Sequence, residues 1–249
     1  MALRDEILPY VDGNDLVAPN PVSPGTLKGS DNGIMFSSEF YIMLQKLGQL
    51  IPSDAADFEK RIGQCVNSAG MLCRVPASQD DGQEEVDDYY GVLNGCKQME
   101  NTSIPRTLLW SLIKHFGVMN NENPGQFQWK AFMIRQPQLV ACMVAAAFPS
   151  WKNPLHILAR ALCHPLFFYA AICTLIAGMT APTSDTDTRR LSWHVWQCTK
   201  GVSLLCWLAG KVWLNRLYKQ YGPTGMQAVA AIYYQPHPVN PFSKYWVTE

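Results

Sequence analysis

The sequence predicts an all-α protein of packed helical hairpins, and three observations lead to this fold class. Apolar residues recur at helical spacing through most of the chain. No segment shows the alternation of apolar and polar residues that is typical of a strand. Gly, Pro and Asn separate roughly ten helical segments. Successive helices joined by short loops indicate packed hairpins, which could extend to an incomplete α/α toroid.

The domain organisation follows from the distribution of helix breakers. Residues 1–30 are rich in Pro and Gly and are predicted to form an extended N-terminal arm. Within this arm, residues 12–15 are interpreted as a turn, because the later ligands of a calcium loop are missing. A single all-helical domain is predicted for residues 31–235, and an irregular tail for residues 236–249.

Each helix is placed by its apolar spacing and by the breakers that flank it. Gly48 and Gly117 are expected to follow two of the helices, and a kink is expected near Gly201. Pro154 and Pro165 are interpreted as two separate helix starts. The predicted helices cover about 31–47, 54–68, 89–100, 103–117, 127–134, 137–148, two segments from 154 and 165, 188–221 and 223–234.

The composition limits the class of function. Lys plus Arg and Asp plus Glu number 20 each, so the net charge is zero and non-specific nucleic-acid binding is not expected. The acids lie mainly before residue 101, and the bases become dense after Arg189. The eight cysteines form no CxxC pair, which favours buried thiols of a reducing compartment over disulfides. No secretion signal is seen at the N-terminus.

One uncharged segment raises the question of a membrane. Residues 165–179 lack charge, but 15 residues fall short of the roughly 20 that a spanning helix needs. The mean hydropathy of −0.07 is typical of a soluble protein. We therefore interpret the segment as a central helix of a soluble domain. A membrane-associated protein using residues 139–179 is kept as a third hypothesis.

Acidic residues at two predicted helix starts form the candidate catalytic site. Asp31 and Asp88 each precede a helix, so both could lie on one rim of the domain. Glu39 lies about two turns into its helix. Two carboxylates across a cleft are what glycoside hydrolysis requires, which predicts Glu39 and Asp88 as the acid and base. The alternative is that Asp31 and Asp88 only cap their helices and Glu39 is an exposed or capping acid.

Neighbouring polar and aromatic groups could hold an uncharged sugar. Amides and aromatic rings suit this ligand, and an arginine could clamp a carboxylate. No metal or cofactor is predicted, because HExxH, paired histidines, GxSxG, a Walker loop and GxGxxG are all missing from the sequence. The predicted substrate-binding residues are Asp31, Asn32, Arg74, Asp87, Tyr89, Asn121 and Arg135.

Four sequence blocks carry a resemblance to a known group of proteins. They are DNGIMFSSEFYIMLQ at 31–45, DDYYGVLNG at 87–95, NNENPG at 120–125 and RQPQLVA at 135–141. In this order the blocks resemble uncharacterised proteins carried by tailed bacteriophages, over most of the chain. The layout of polar turns followed by apolar helix pairs also resembles the α/α-toroid glycosidases and polysaccharide lyases. No residue matches a specific glycosidase motif.

Two functional hypotheses follow beside the membrane one. The first is a phage-encoded protein that binds or cleaves a glycan with the paired carboxylates. The second is a non-catalytic structural or accessory protein that uses its arm and tail to contact virion proteins or copies of itself. Both place the protein in the host cytoplasm or the virion.

Overall fold

The structure is a computed structural model in which nine helices lie within the described residues, so the predicted all-α class is confirmed. It describes residues 3–18, 21–23, 33–76, 86–119, 130–131, 136–149, 154–180, 195–213, 215–216 and 219. The helices are Leu3–Ile7 (α1), Gly33–Lys46 (α2), Asp54–Gly63 (α3), Val86–Gln98 (α4), Ser103–Lys114 (α5), Pro137–Ala147 (α6), Pro154–Thr180 (α7), 195–199 (α8) and Leu204–Trp213 (α9).

Helices α2 and α4 pack closely against each other because glycines face the contact. A Cβ atom on Gly91 would lie 2.9 Å from the Cα atom of Met35, and one on Gly95 would lie 2.9 Å from the Cβ atom of Ser38. Any larger side chain would separate the two helices. This contact brings the first turns of α2 and α4 together.

Helix α2 is buried around its whole circumference from Gly33 to Leu44. The hydroxyls of Ser37 and Ser38 donate to carbonyls one turn earlier, at 2.7 Å to Gly33 and 3.0 Å to Ile34. These bonds satisfy the hydroxyl donors inside the apolar interior. A helix that is apolar on all sides is expected in a core, and α2 lies there.

Helix α6 is the central helix of the second half. All its residues from Leu139 to Ala147 are buried, and α4, α5 and α7 pack around it. Four of these residues are alanines, whose small side chains allow neighbouring helices to approach closely. The segment predicted to be central, 165–179, instead lies in α7 at the side of α6.

The described part of the predicted N-terminal arm packs on the helical core. Leu3, Ile7, Leu16 and Val17 are buried, and the Val17 N–H donates to the Ser37 hydroxyl at 2.9 Å. Residues 3–7 form α1, and a single 3-10 turn, Leu8–Tyr10, follows. The carboxylate of Asp12 accepts the N–H groups of residues 14 and 16 at 2.8 and 2.9 Å, which is the predicted turn.

Three predicted helices differ from the observed ones. Pro165 lies inside the continuous helix α7, because one missing N–H removes a single backbone bond while the apolar face continues on both sides. Gly201 adopts φ +74°, which ends α8 and separates it from α9 instead of kinking one long helix. Residues 130–131 form an antiparallel strand with Val118–Met119, not a helix.

Candidate functional site

The two carboxylates predicted to be catalytic lie in the core. Helix α4 begins at Val86, so Asp88 sits in its first turn and not at its N-cap. Its Oδ1 atom accepts the N–H of Met35 at 3.3 Å, in the first turn of α2. Glu39 is 0% exposed and Asp88 is 1% exposed. Both are closed off from solvent, so they border no open cleft within the described part of the chain.

The other predicted site residues divide into two groups. The Tyr89 phenol oxygen is buried and accepts the Leu72 N–H at 3.2 Å, which ties the loop after α3 to α4. Arg74 belongs to the same loop and is half-buried. The structure therefore brings Glu39, Asp88 and Tyr89 onto two packed helices, without a space for substrate among the described residues. Asp31, Asn32, Asn121, Arg135 and the side chain of Asp87 lie outside the described residues.

Electrostatics around Asp88 indicate a dry interior. Burial, together with the smaller effect of the negative charges of Asp88 and Asp12, raises the pKa of the Cys65 thiol to about 12. Burial also raises the pKa of Asp12, against the lowering effect of the N–H groups that it accepts. Carboxylates that accept backbone N–H groups in such surroundings hold helices and turns together. The catalytic roles given to Glu39 and Asp88 stay predictions.

The second half of the chain carries a large exposed apolar face on α7 and α9. Thirteen of the 18 large hydrophobic side chains that are exposed among the described residues belong to these two helices. We call this set the apolar surface. Its members are Ile157, Leu158, Leu162, Phe168, Tyr169, Ile172, Leu175, Ile176, Met179, Leu204, Leu205, Leu208 and Val212.

Helix α7 is unusual in length as well as in exposure. Within it, His156–Thr180 is long and apolar enough to cross a membrane, by length and composition alone, and it is the one such helix among the described residues. Only 22% of its most apolar window is buried. A core helix of the same composition would be mostly buried, so burial separates α7 from α2 and α6.

A cationic cavity of about 600 Å³ lies where the turn between α8 and α9 meets α7. Arg160, His164 and Lys200 line it, and none of the described residues in its lining is acidic. The buried Arg160 guanidinium donates from Nη1 to the carbonyl of Phe148 at 2.8 Å and from Nη2 to that of Val202. It thereby joins the end of α6 to the turn before α9. We call this space the turn cavity.

Lys97 stabilises the same turn from the side of α4. Its ammonium group donates to the carbonyls of Gln197 at 2.6 Å and Cys198 at 3.0 Å, and also to that of Lys200. These carbonyls at the end of α8 lack helical partners, and a cation is their best donor. Burial lowers the pKa of Lys97. Two cations from distant elements therefore fix the wall of the turn cavity.

An apolar furrow of about 280 Å³ runs between α7 and α9 beside the turn cavity. Leu205 lines both spaces, so the furrow lies next to the cavity, and most of its other lining residues belong to the apolar surface. None of the described residues that line the furrow is charged; they are Phe168, Ala171, Ile172, Leu175, Leu205, Leu208, Ala209 and Val212.

Sequence reasoning noticed the uncharged segment but not its exposure. The periodicity of an apolar helix is the same whether protein or lipid covers it. The signal that could have separated the two is charge. Residues 123–249 hold eleven Lys and Arg but only three Asp and Glu, and the apolar helix lies within this basic half.

Comparison of the chain with protein-family models, with curated proteins and with solved structures found no match. The resemblances to bacteriophage proteins and to α/α toroids therefore stay predictions. The geometry of the described residues is therefore the basis for proposing a function.

Proposed function

We propose that this protein associates with membranes and places its apolar surface in one leaflet of a lipid bilayer. The observation that carries the proposal is the exposure of thirteen large hydrophobic side chains on α7 and α9. Single exposed apolar residues are normal on soluble proteins, whereas a contiguous set on neighbouring helices marks an interaction surface. Burying such side chains in hydrocarbon is worth about 1.5–3 kcal/mol each when it is complete.

Helix lengths favour an interfacial position over a membrane span. Helix α7 has 27 residues and extends about 40 Å, enough to cross the hydrocarbon core of about 30 Å. Helix α6, against which it packs, has 11 residues and extends only about 16 Å. A spanning α7 would draw the polar ends of α6 into hydrocarbon. An α7 that lies in the plane of the interface leaves those ends in the headgroup region.

The distribution of charge supports an orientation. Residues 1–122 hold nine Lys and Arg and 17 Asp and Glu, the reverse of the basic half. Anionic headgroups attract the basic half by about 1 kcal/mol for each Lys or Arg near the surface and repel the acidic half. Because the apolar surface belongs to the basic half, the hydrophobic and electrostatic contributions to membrane binding favour the same orientation of the protein.

Vesicle flotation tests the proposal. We expect the full chain to float with vesicles of phosphatidylglycerol and phosphatidylcholine. The variants Leu162→Asp and Ile176→Asp should each weaken binding about tenfold, because an exposed apolar contact is replaced by a charge. Leu8→Asp is the matched control, since Leu8 is 67% exposed but lies outside the apolar surface. It should float like the parent chain.

Other outcomes would overturn the proposal. A chain that stays in the aqueous fraction and forms a dimer that Leu162→Asp dissociates would assign the apolar surface to a second copy. Flotation that Leu8→Asp reduces as much as Leu162→Asp would also contradict it. Glycan cleavage receives no support from the described geometry, since Glu39 and Asp88 are both buried.

A further inference from the structure

We propose that the turn cavity binds the phosphate of an anionic phospholipid, with one acyl chain in the adjoining furrow. This inference rests on the proposed membrane association and specifies the lipid chemistry. The occupant needs an anionic head and an apolar tail, because a cavity lined by Arg160 and Lys200 lies next to an apolar furrow and shares Leu205 with it.

The cavity has positive charge from Arg160 and Lys200, and His164 adds an imidazole ring that can form hydrogen bonds. Arg160 forms a buried wall, and its Nη atoms already donate to carbonyls, so it contributes charge more than direct bonds. His164 and Lys200 are exposed at the opening and are the groups that a phosphate oxygen can reach. Since the described lining contains Arg160 and Lys200 but no acid, its formal charge is positive and attracts an anion.

One side-chain donor at the cavity wall has no acceptor within the part of the chain that the structure describes. The indole N–H of Trp207, which lines the cavity, is buried and has no acceptor among the described residues. Buried N–H groups are rarely left in this state, and this indole can donate to a ligand oxygen in the cavity. Leu204 and Leu205 also line the cavity at the start of α9, where backbone N–H groups have no helical acceptor.

The furrow distinguishes a lipid from free phosphate. It begins at Leu205, next to the cationic groups, and continues along α7 and α9 as far as Leu175 and Val212. Its 280 Å³ is enough for part of one acyl chain. A phosphate without a tail would leave this apolar space in contact with water. The two spaces together therefore fit a phosphodiester with a hydrocarbon chain.

The test uses lipids that need no bilayer. The full chain is titrated with dihexanoyl phosphatidylglycerol below its micelle concentration and followed by ligand-observed NMR. We expect Lys200→Gln to weaken binding about fivefold, the effect of removing one interfacial cation. Lys211→Gln is the matched control. Both lysines are exposed and lie over a tryptophan ring, at 5.2 Å for Lys200 and 4.9 Å for Lys211, but only Lys200 lines the cavity.

Three results would overturn the inference. The first is equal weakening by Lys200→Gln and Lys211→Gln. The second is equal affinity for dihexanoyl phosphatidylcholine, whose head carries no net charge. The third is binding of inorganic phosphate as tight as that of the lipid, which would leave an anion site without lipid recognition. Because the titration involves no vesicle, its failure is distinguishable from failure of the flotation test.

Discussion

Helices α2 and α7 are both apolar along their length, yet their surroundings are opposite. From Gly33 to Leu44, helix α2 buries even its polar residues, including Glu39 at 0% exposure. Helix α7 exposes nine large hydrophobic side chains. The reason lies in their neighbours: α3 and α4 pack on α2 and the N-terminal segment bonds to it, whereas α6 and α9 pack on α7 and leave one face of it exposed.

We interpret this difference as two regions suited to different surroundings, in line with the proposed membrane association. The first region, α1 to α4, is closed and carries most of the acidic residues. The second region, α7 to α9, exposes apolar side chains and carries cationic side chains beside them. A protein with this polarity is expected to sit at a boundary between water and lipid, with the acidic region on the water side.

The largest expected effect comes from truncating equivalent isoleucines in the two helices. Ile42 in α2 is 2% exposed and Ile172 in α7 is 42% exposed. Ile42→Ala should lower the free energy of unfolding by about 2–5 kcal/mol, because it leaves a cavity. Ile172→Ala should lower it by less than about 1 kcal/mol in water, because the contact is only partly made. Urea denaturation without lipid measures both; equal losses would mean that α7 is covered like α2.

The next effect tests the close contact within the closed region. Gly91→Ala places a methyl group 2.9 Å from the Met35 Cα atom and should cost about 1–3 kcal/mol. Gly63→Ala is the control, since nothing lies within 4 Å of its Cβ position. It should be neutral or stabilise by up to about 1 kcal/mol, because alanine favours the helix. Similar thermal stabilities of the two variants would show that α2 and α4 can separate without loss.

A smaller effect separates a structural carboxylate from a catalytic one. Asp88→Ala removes the acceptor of the Met35 N–H and should lower the free energy of unfolding by about 1–2 kcal/mol. Asp88→Asn keeps an oxygen in the same position and should retain most of that stability. If Asp88→Ala unfolds at the same urea concentration as the parent, the bond to α2 is not structural and a catalytic role regains support.

The helices could be predicted because the residues that end them act locally. Gly48 and Gly117 adopt φ +64° and +76°, and each follows a helix as predicted. The errors at Pro165 and Gly201 arose where one residue permits two outcomes. Proline can start a helix or continue one, and glycine can kink a helix or end it. Tertiary packing, which the sequence does not display, decides between them.

The site was harder to predict than the fold. The meeting of the two helix starts was anticipated, and the bond from Met35 to Asp88 confirms that they meet. The full burial of Glu39 and Asp88 was not anticipated, because an acid in an apolar helix normally indicates an exposed face. The turn cavity was missed entirely. Arg160 and Lys200 are 40 residues apart in sequence, and only the break at Gly201 brings them to one space.

The smallest expected effect asks whether the interior of the second region is as dry as that of the first. Burial raises the pKa of Cys65 from 9.0 to about 12 in the first region and that of Cys206 to about 11 in α9. A thiol stays protonated in the folded chain and ionises first in the unfolded chain. Its stabilising contribution is therefore complete below about pH 9 and is lost as pH rises towards the folded pKa.

Urea denaturation at pH 7, 8 and 9 measures this loss, which should be about 0.4 kcal/mol for each buried thiol by pH 9. The lowered pKa of the buried Lys97 acts in the opposite direction, so the readout is the difference between the parent and single variants. Cys65→Ala and Cys206→Ala should each flatten the pH dependence by the same amount. If only Cys65→Ala does so, water reaches the inner side of α9, and the contrast between the two regions extends from their surfaces into their cores.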